Sequence, residues 1–163
     1  EWKYTESYPA KRDPKSMSGD ATRISRYHNI WQRPHGPIRA DLDVRLADFF
    51  LEPWYQLLRQ QMTAYHAETD PLSEYDRVAL LHISPTGNSA LKRARGELAR
   101  FGDDVFEAFA NLIDPSFRNR FICLDTSSAF SCLSNWPEVT WSGWLAARYP
   151  ALYSSSANDG ADG

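Results

Sequence analysis

The chain is short of cysteine, of long apolar runs and of net charge, and each shortage removes a class of protein. Its only cysteines, Cys123 and Cys132, have eight residues between them and no Cys-x-x-Cys or clustered histidines nearby. Neither a disulfide scaffold nor a zinc site is expected, and both read as small reduced core residues. No stretch approaches the roughly 20 consecutive apolar residues of a membrane helix, and no basic start leads into the apolar run of a signal peptide. The expected address is the cytoplasm. We find no internal repeat, no Gly-rich phosphate loop and no Gly-x-Ser-x-Gly elbow, so solenoids, P-loop enzymes and α/β-hydrolases have no support.

What is present is a chain of 163 residues, enough for one domain with a genuine core. We expect 1–150 to form the C-terminal part of such a domain, with a long basic loop over 9–40, and 151–163 to be a small, polar, disordered tail. The formal charge of −3 hides an asymmetry: residues 1–40 hold eight Lys and Arg against four Asp and Glu, and the rest hold ten against seventeen. The basic excess falls on Lys11, Arg12, Lys15, Arg23, Arg26, Arg33 and Arg39. Two readings stand: a solvated loop kept soluble by charge, or a surface that holds backbone phosphates, of which Lys11, Arg12, Lys15, Arg23 and Arg26 are the candidate contacts.

The first eight residues, Glu1-Trp2-Lys3-Tyr4-Thr5-Glu6-Ser7-Tyr8, read as a strand. Alternate strand residues share a face, so Glu1 and Lys3 stand about 6–7 Å apart on one side. A carboxylate and an ammonium so placed can serve one metal-bound water, the first as metal ligand and the second as positioning group or base. Glu-x-Lys alone is common, and its bland counterpart is an edge strand with a solvated face. The chain begins with Glu inside this strand, so an upstream part is expected.

A long irregular stretch follows to Ala40, with a short helix over Thr22–Trp31 behind Asp20 as N-cap. Val44 to Phe50 predict an amphipathic turn, and Pro53 suits the first position of a helix running to Ala67. Trp54, Leu58, Gln61, Met62 and Tyr65 lie on one stripe of it. Gln61 is the polar exception. It is either a structural glutamine bonded to a backbone group or an amide projecting toward the site. Arg77 to Ile83 read as a strand covered on both faces, with His82 as a hydrogen-bonded core histidine. Helices are expected over Ser89–Arg100 and Asp103–Ile113, a strand over Phe121–Leu124, and closing helices over Ser127–Leu133 and Pro137–Tyr149. The spacing of Trp141 and Trp144 favours core packing over base stacking, the other use of Trp136, Trp141 and Trp144.

The order of a Glu-x-Lys strand, a helix with Gln61-x-x-x-Tyr65 and an apolar strand resembles the second half of the PD-(D/E)xK nuclease core. The stretches Glu1 to Tyr8, Glu52-Pro53-Trp54-Tyr55-Gln56-Leu57-Leu58-Arg59-Gln60-Gln61 and Leu81-His82-Ile83-Ser84-Pro85 resemble a bacterial restriction-endonuclease family of that superfamily, over roughly residues 1–113. The resemblance implies an α/β (α+β) fold: a partial restriction-endonuclease-like core, a mixed β-sheet flanked by helices, with a helical C-terminal part. It implies Mg²⁺, or Mn²⁺ in its place, held by Glu1 and by an upstream Asp that this sequence lacks. It further implies Lys3, Gln61 and Tyr65 as catalytic residues beside Glu1, DNA as substrate, and a possible homodimer. The alternative is a nuclease-like module that has lost activity and binds DNA or protein. No second carboxylate motif supports a glycosidase.

Overall fold

A computed structural model describes residues 17–31, 33–85, 89–134, 141–148 and 150. The expected opening strand, Lys11, Arg12, Lys15, Trp136 and the 151–163 tail lie outside the described residues. Helix α1 spans Asp20–Trp31 and α2 spans Trp54–Thr69, with a 3-10 turn at Leu46–Phe50 between them. Strand β1 (Leu80–Ser84) follows, then the single turn α3 (Ser89–Lys92), a 3-10 turn at Glu97–Phe101, α4 (Val105–Leu112) and the short α5 (Pro115–Arg118). Strand β2 (Phe121–Asp125) leads into α6 (Thr126–Ser134), and α7 spans Ser142–Arg148. The two strands pair in parallel, so the described architecture is mixed α/β with helix dominant.

The fold divides into two compact units. Among the described residues, one takes 17–81 and 89–122; the other takes 82–85 and 123–150. The core of the first is aromatic and is built by α2 and α4. The helical spacing of α2 buries Trp54, Leu57, Leu58, Gln61, Met62, Ala64 and Tyr65, the stripe that the sequence predicts. Asp104 caps α4 by accepting the backbone N–H groups of Phe106 and Glu107, and Val105, Ala108, Phe109 and Leu112 then turn inward. Phe109 sits at the centre, its ring 6.3 Å from that of Phe49 and 5.2 Å from that of Phe121. Trp31 of α1 meets Phe49 edge-on at 5.4 Å, which ties the first helix to this cluster.

Two long-range connections hold the irregular segments. Ile38 bridges Ile113 in antiparallel fashion, flanked by Arg39 N–H to Leu112 O at 2.9 Å and Asp114 N–H to Pro37 O at 3.0 Å. The Trp54 indole donates to Arg95 O at 2.7 Å, so α2 anchors the segment before the second 3-10 turn.

Several expectations are corrected. The helix expected over Ser89–Arg100 stops at Lys92, because Arg93 pairs with Asp104 and Gly96 takes φ 74°, a left-handed conformation that no helix continues through. The stretch before Ala40 is less irregular than read, since α1 starts at Asp20 itself rather than behind it. Pro53 precedes α2 as its N-cap residue rather than opening it. β1 is not covered on both faces: Leu81 and Ile83 are 56% and 44% exposed. Trp141 and Trp144 are exposed as well, at 48% and 60%, so they are not core residues, and Cys123 is also exposed.

Candidate functional site

Helix α2 carries the two candidate catalytic residues that lie within the described residues. Gln61 and Tyr65 are one turn apart, hence on one face, and both are buried, 5% and 6% exposed. Gln61 lies among the buried positions of its own helix, with Leu57 and Leu58 one turn before it and Ala64 and Tyr65 one turn after. The Tyr65 ring meets Phe117 of α5 edge-on at 5.4 Å. That contact fixes the ring and brings α5 against the C-terminal half of α2.

The same half of α2 is held by charge. Glu68 forms an ion pair with Arg120, both side chains less than one-fifth exposed, and its second carboxylate oxygen accepts the Val78 N–H at 3.2 Å. Arg120 lies 4.5 Å from the Phe117 ring centre and donates to Ser116 O at 3.0 Å, while its own carbonyl accepts the Leu80 N–H at 2.8 Å. One arginine therefore connects α2, α5 and the first residue of β1. The Tyr65 end of the helix is thereby tied to both.

Gln60 is a residue that spacing alone does not single out. Its Oε1 is buried and has no hydrogen-bond donor among the described residues. Buried carbonyl oxygens are nearly always paired, so this position stands out beside Gln61.

Arg23 and Arg26, the two basic candidates within the described residues, differ in their surroundings. Arg23 pairs with Asp20 at 2.9 Å and stacks over the Tyr55 and Phe50 rings, 4.8 and 5.7 Å from their centres. Much of its charge is engaged within the fold. Arg26 is exposed. Its guanidinium is near enough to the Tyr27 phenol to oppose the rise in that phenol's pKa that burial and Tyr55 produce.

Glu1 and Lys3 lie outside the described residues, and so does any metal geometry that involves them. Among the described residues no group of three or more His, Cys, Asp or Glu side chains is placed to hold a metal ion. No described helix is long and apolar enough to cross a membrane.

The family model for restriction endonucleases associating with ARP matches residues 1–150. The chain belongs to this restriction-endonuclease family. The match spans Glu1-x-Lys3, α1, the Gln61 and Tyr65 face of α2 and both strands, so every candidate residue of this chain is inside the family's span. Comparison with curated proteins finds no match. Comparison with solved structures finds none either.

Proposed function

We propose that the intact protein is a metal-dependent endonuclease that hydrolyses DNA phosphodiester bonds, in restriction or another DNA-processing role, with 1–150 as the C-terminal part of its nuclease-like domain. The observation that carries this reading is the restriction-endonuclease family match, which includes Glu1-x-Lys3 and the Gln61-x-x-x-Tyr65 helix face in one span. Glu1 is the residue of this chain that would hold Mg²⁺ or Mn²⁺, whose chemistry is to neutralise charge on the scissile phosphate. Lys3 orients the attacking water and takes its proton, a role open to a lysine whose pKa is lowered by desolvation and a neighbouring cation. The water oxygen bonds to phosphorus as the bond to the 3′ oxygen breaks, leaving a 5′-phosphate and a 3′-hydroxyl. Gln61 donates to the water or to a phosphate oxygen, and Tyr65 braces the helix that carries it.

The test is cleavage of plasmid and linear DNA by the full chain, together with any upstream part its reading frame supplies. Nicking with Mg²⁺ that EDTA stops, and that Lys3→Ala abolishes while DNA binding persists, is the expected result. Equal cleavage by Lys3→Ala and the unsubstituted protein would overturn the reading. Binding without cleavage under any divalent cation would instead assign a nuclease-like module that only binds.

A further inference from the structure

On the face shared by α1 and α2, three arginines gather around two tyrosines. The Tyr55 ring is the centre: Arg23 lies 4.8 Å from its centroid, Arg59 5.8 Å, and the Tyr27 ring meets it edge-on at 6.4 Å. Arg59 reaches the ring because it follows Tyr55 by one helical turn, and Tyr27 reaches it from α1. Arg23 is balanced by Asp20. Arg26 and Arg59 are exposed, and neither is paired with a carboxylate among the described residues. Asp20 is the one acid of α1, and Glu68, the one acid of α2, is engaged with Arg120 at the helix's far end. Two guanidinium groups with no carboxylate partner among the described residues thus flank a tyrosine pair, Tyr27 buried and Tyr55 half-buried.

A cation over an aromatic face is held in place without being neutralised, since the ring offers a quadrupole and not a counter-charge. Arg59 has accordingly lost part of its rotamer freedom already, and less is left to lose when an anion binds. Both side chains stand exposed on helix surface, where separate cations take the phosphates of a polymer one at a time. We propose that this face is a backbone-phosphate contact for DNA, with Arg26 and Arg59 each taking one phosphate and Tyr55 positioning Arg59. The choice of DNA as the polyanion rests on the function proposed above. Arg59 has no part in the basic N-terminal stretch, which is why charge counting along the sequence overlooks it.

The experiment measures affinity of the full chain for a short labelled duplex in EDTA across a salt series. Each phosphate contact contributes a slope of about −0.9 in log affinity against log salt. The Arg26→Ala/Arg59→Ala double variant should show a slope shallower by about 2, so that its affinity falls about tenfold less than that of the unsubstituted protein between roughly 50 and 200 mM salt. Arg26→Lys/Arg59→Lys keeps both charges and should restore the slope. Arg77→Ala/Arg93→Ala removes two other exposed arginines of the same unit and should leave the slope unchanged. An unaltered slope in the first variant, or an equal loss in the last, overturns the proposal. So does preferential binding of polyglutamate over DNA, which would hand the face to an acidic protein. Reduced slope without cleavage sinks the nuclease reading alone, and cleavage with an unchanged slope sinks this surface alone.

Discussion

Glu68 and Arg120, 52 residues apart in sequence, form an ion pair that fastens the end of α2 to the residue preceding β2. Neither partner has much access to water, and each makes a second bond, Glu68 to the Val78 N–H and Arg120 to Ser116 O. Breaking such a pair from one side leaves the other charge poorly solvated. Glu68→Gln should therefore cost about 1–3 kcal/mol of stability, less than a fully buried pair because some solvent reaches it. Urea unfolding followed by circular dichroism gives the number; a change below about 0.5 kcal/mol would show the pair to act as a surface bridge.

Gln61 allows its two roles to be separated. Leucine is close to it in size and suits a face lined by Leu57, Leu58 and Met62, so Gln61→Leu should alter stability by less than about 1 kcal/mol if the amide has no essential structural partner. Under the proposed function the same variant should lower kcat for DNA cleavage about a hundredfold, the cost of removing one well-placed donor. Unchanged kcat with a large loss of stability would make Gln61 a structural glutamine.

Phe109 has no solvent exposure and meets the rings of Phe49 and Phe121. Phe109→Ala should destabilise the protein by about 3–5 kcal/mol, since the helix cannot close over the space left behind. The measurement is the shift of the urea midpoint at constant m-value, and a midpoint that stays in place would mean that the core does not depend on this ring.

His82 predicts a pH dependence. Burial lowers its pKa from 6.5 to about 4. Between those values the unfolded chain takes up a proton that the folded chain refuses, so stability is full above about pH 6.5 and falls as pH drops toward 4. Relative to His82→Gln, the unsubstituted protein should lose about 2 kcal/mol more between pH 7.5 and 4.5. Denaturant titrations at the two pH values check this, and parallel losses in both proteins would refute it.

The residues legible from sequence are those whose neighbours in space are also neighbours along the helix. The α2 stripe from Trp54 to Tyr65 and the inward face of α4 follow from spacings of three and four, and the structure buries both. What spacing does not show is whether anything covers a face. Trp141, which precedes α7, and Trp144 within it are both exposed, and the apolar run of β1 leaves Leu81 and Ile83 uncovered. The Ser89–Arg100 misreading has a different cause: a backbone bridge between Arg93 and Asp104, together with Gly96, outcompetes helix propensity. At the candidate site, the burial of Gln61 and Tyr65 follows from their helical spacing, whereas the catalytic role of Tyr65 comes only from resemblance; Glu1 and Lys3, paired by strand alternation, lie outside the described residues. Arg59 is the converse, visible once the Tyr55 ring is placed beside it.

The left-handed Gly96 also limits how this segment of the chain can vary. A side chain there would be strained by its backbone angle and would bring a Cβ to 3.0 Å from Leu51 Cδ2; at Gly102 a Cβ would stand 3.2 Å from both the Cβ and the backbone nitrogen of Ala108. The five residues between them are thus delimited by two positions where any side chain is strained and crowded. A larger residue at either place would oblige Leu51 or the first turn of α4 to give way by a few tenths of an ångström, so the glycine pair couples the course of this stretch to the packing of its neighbours.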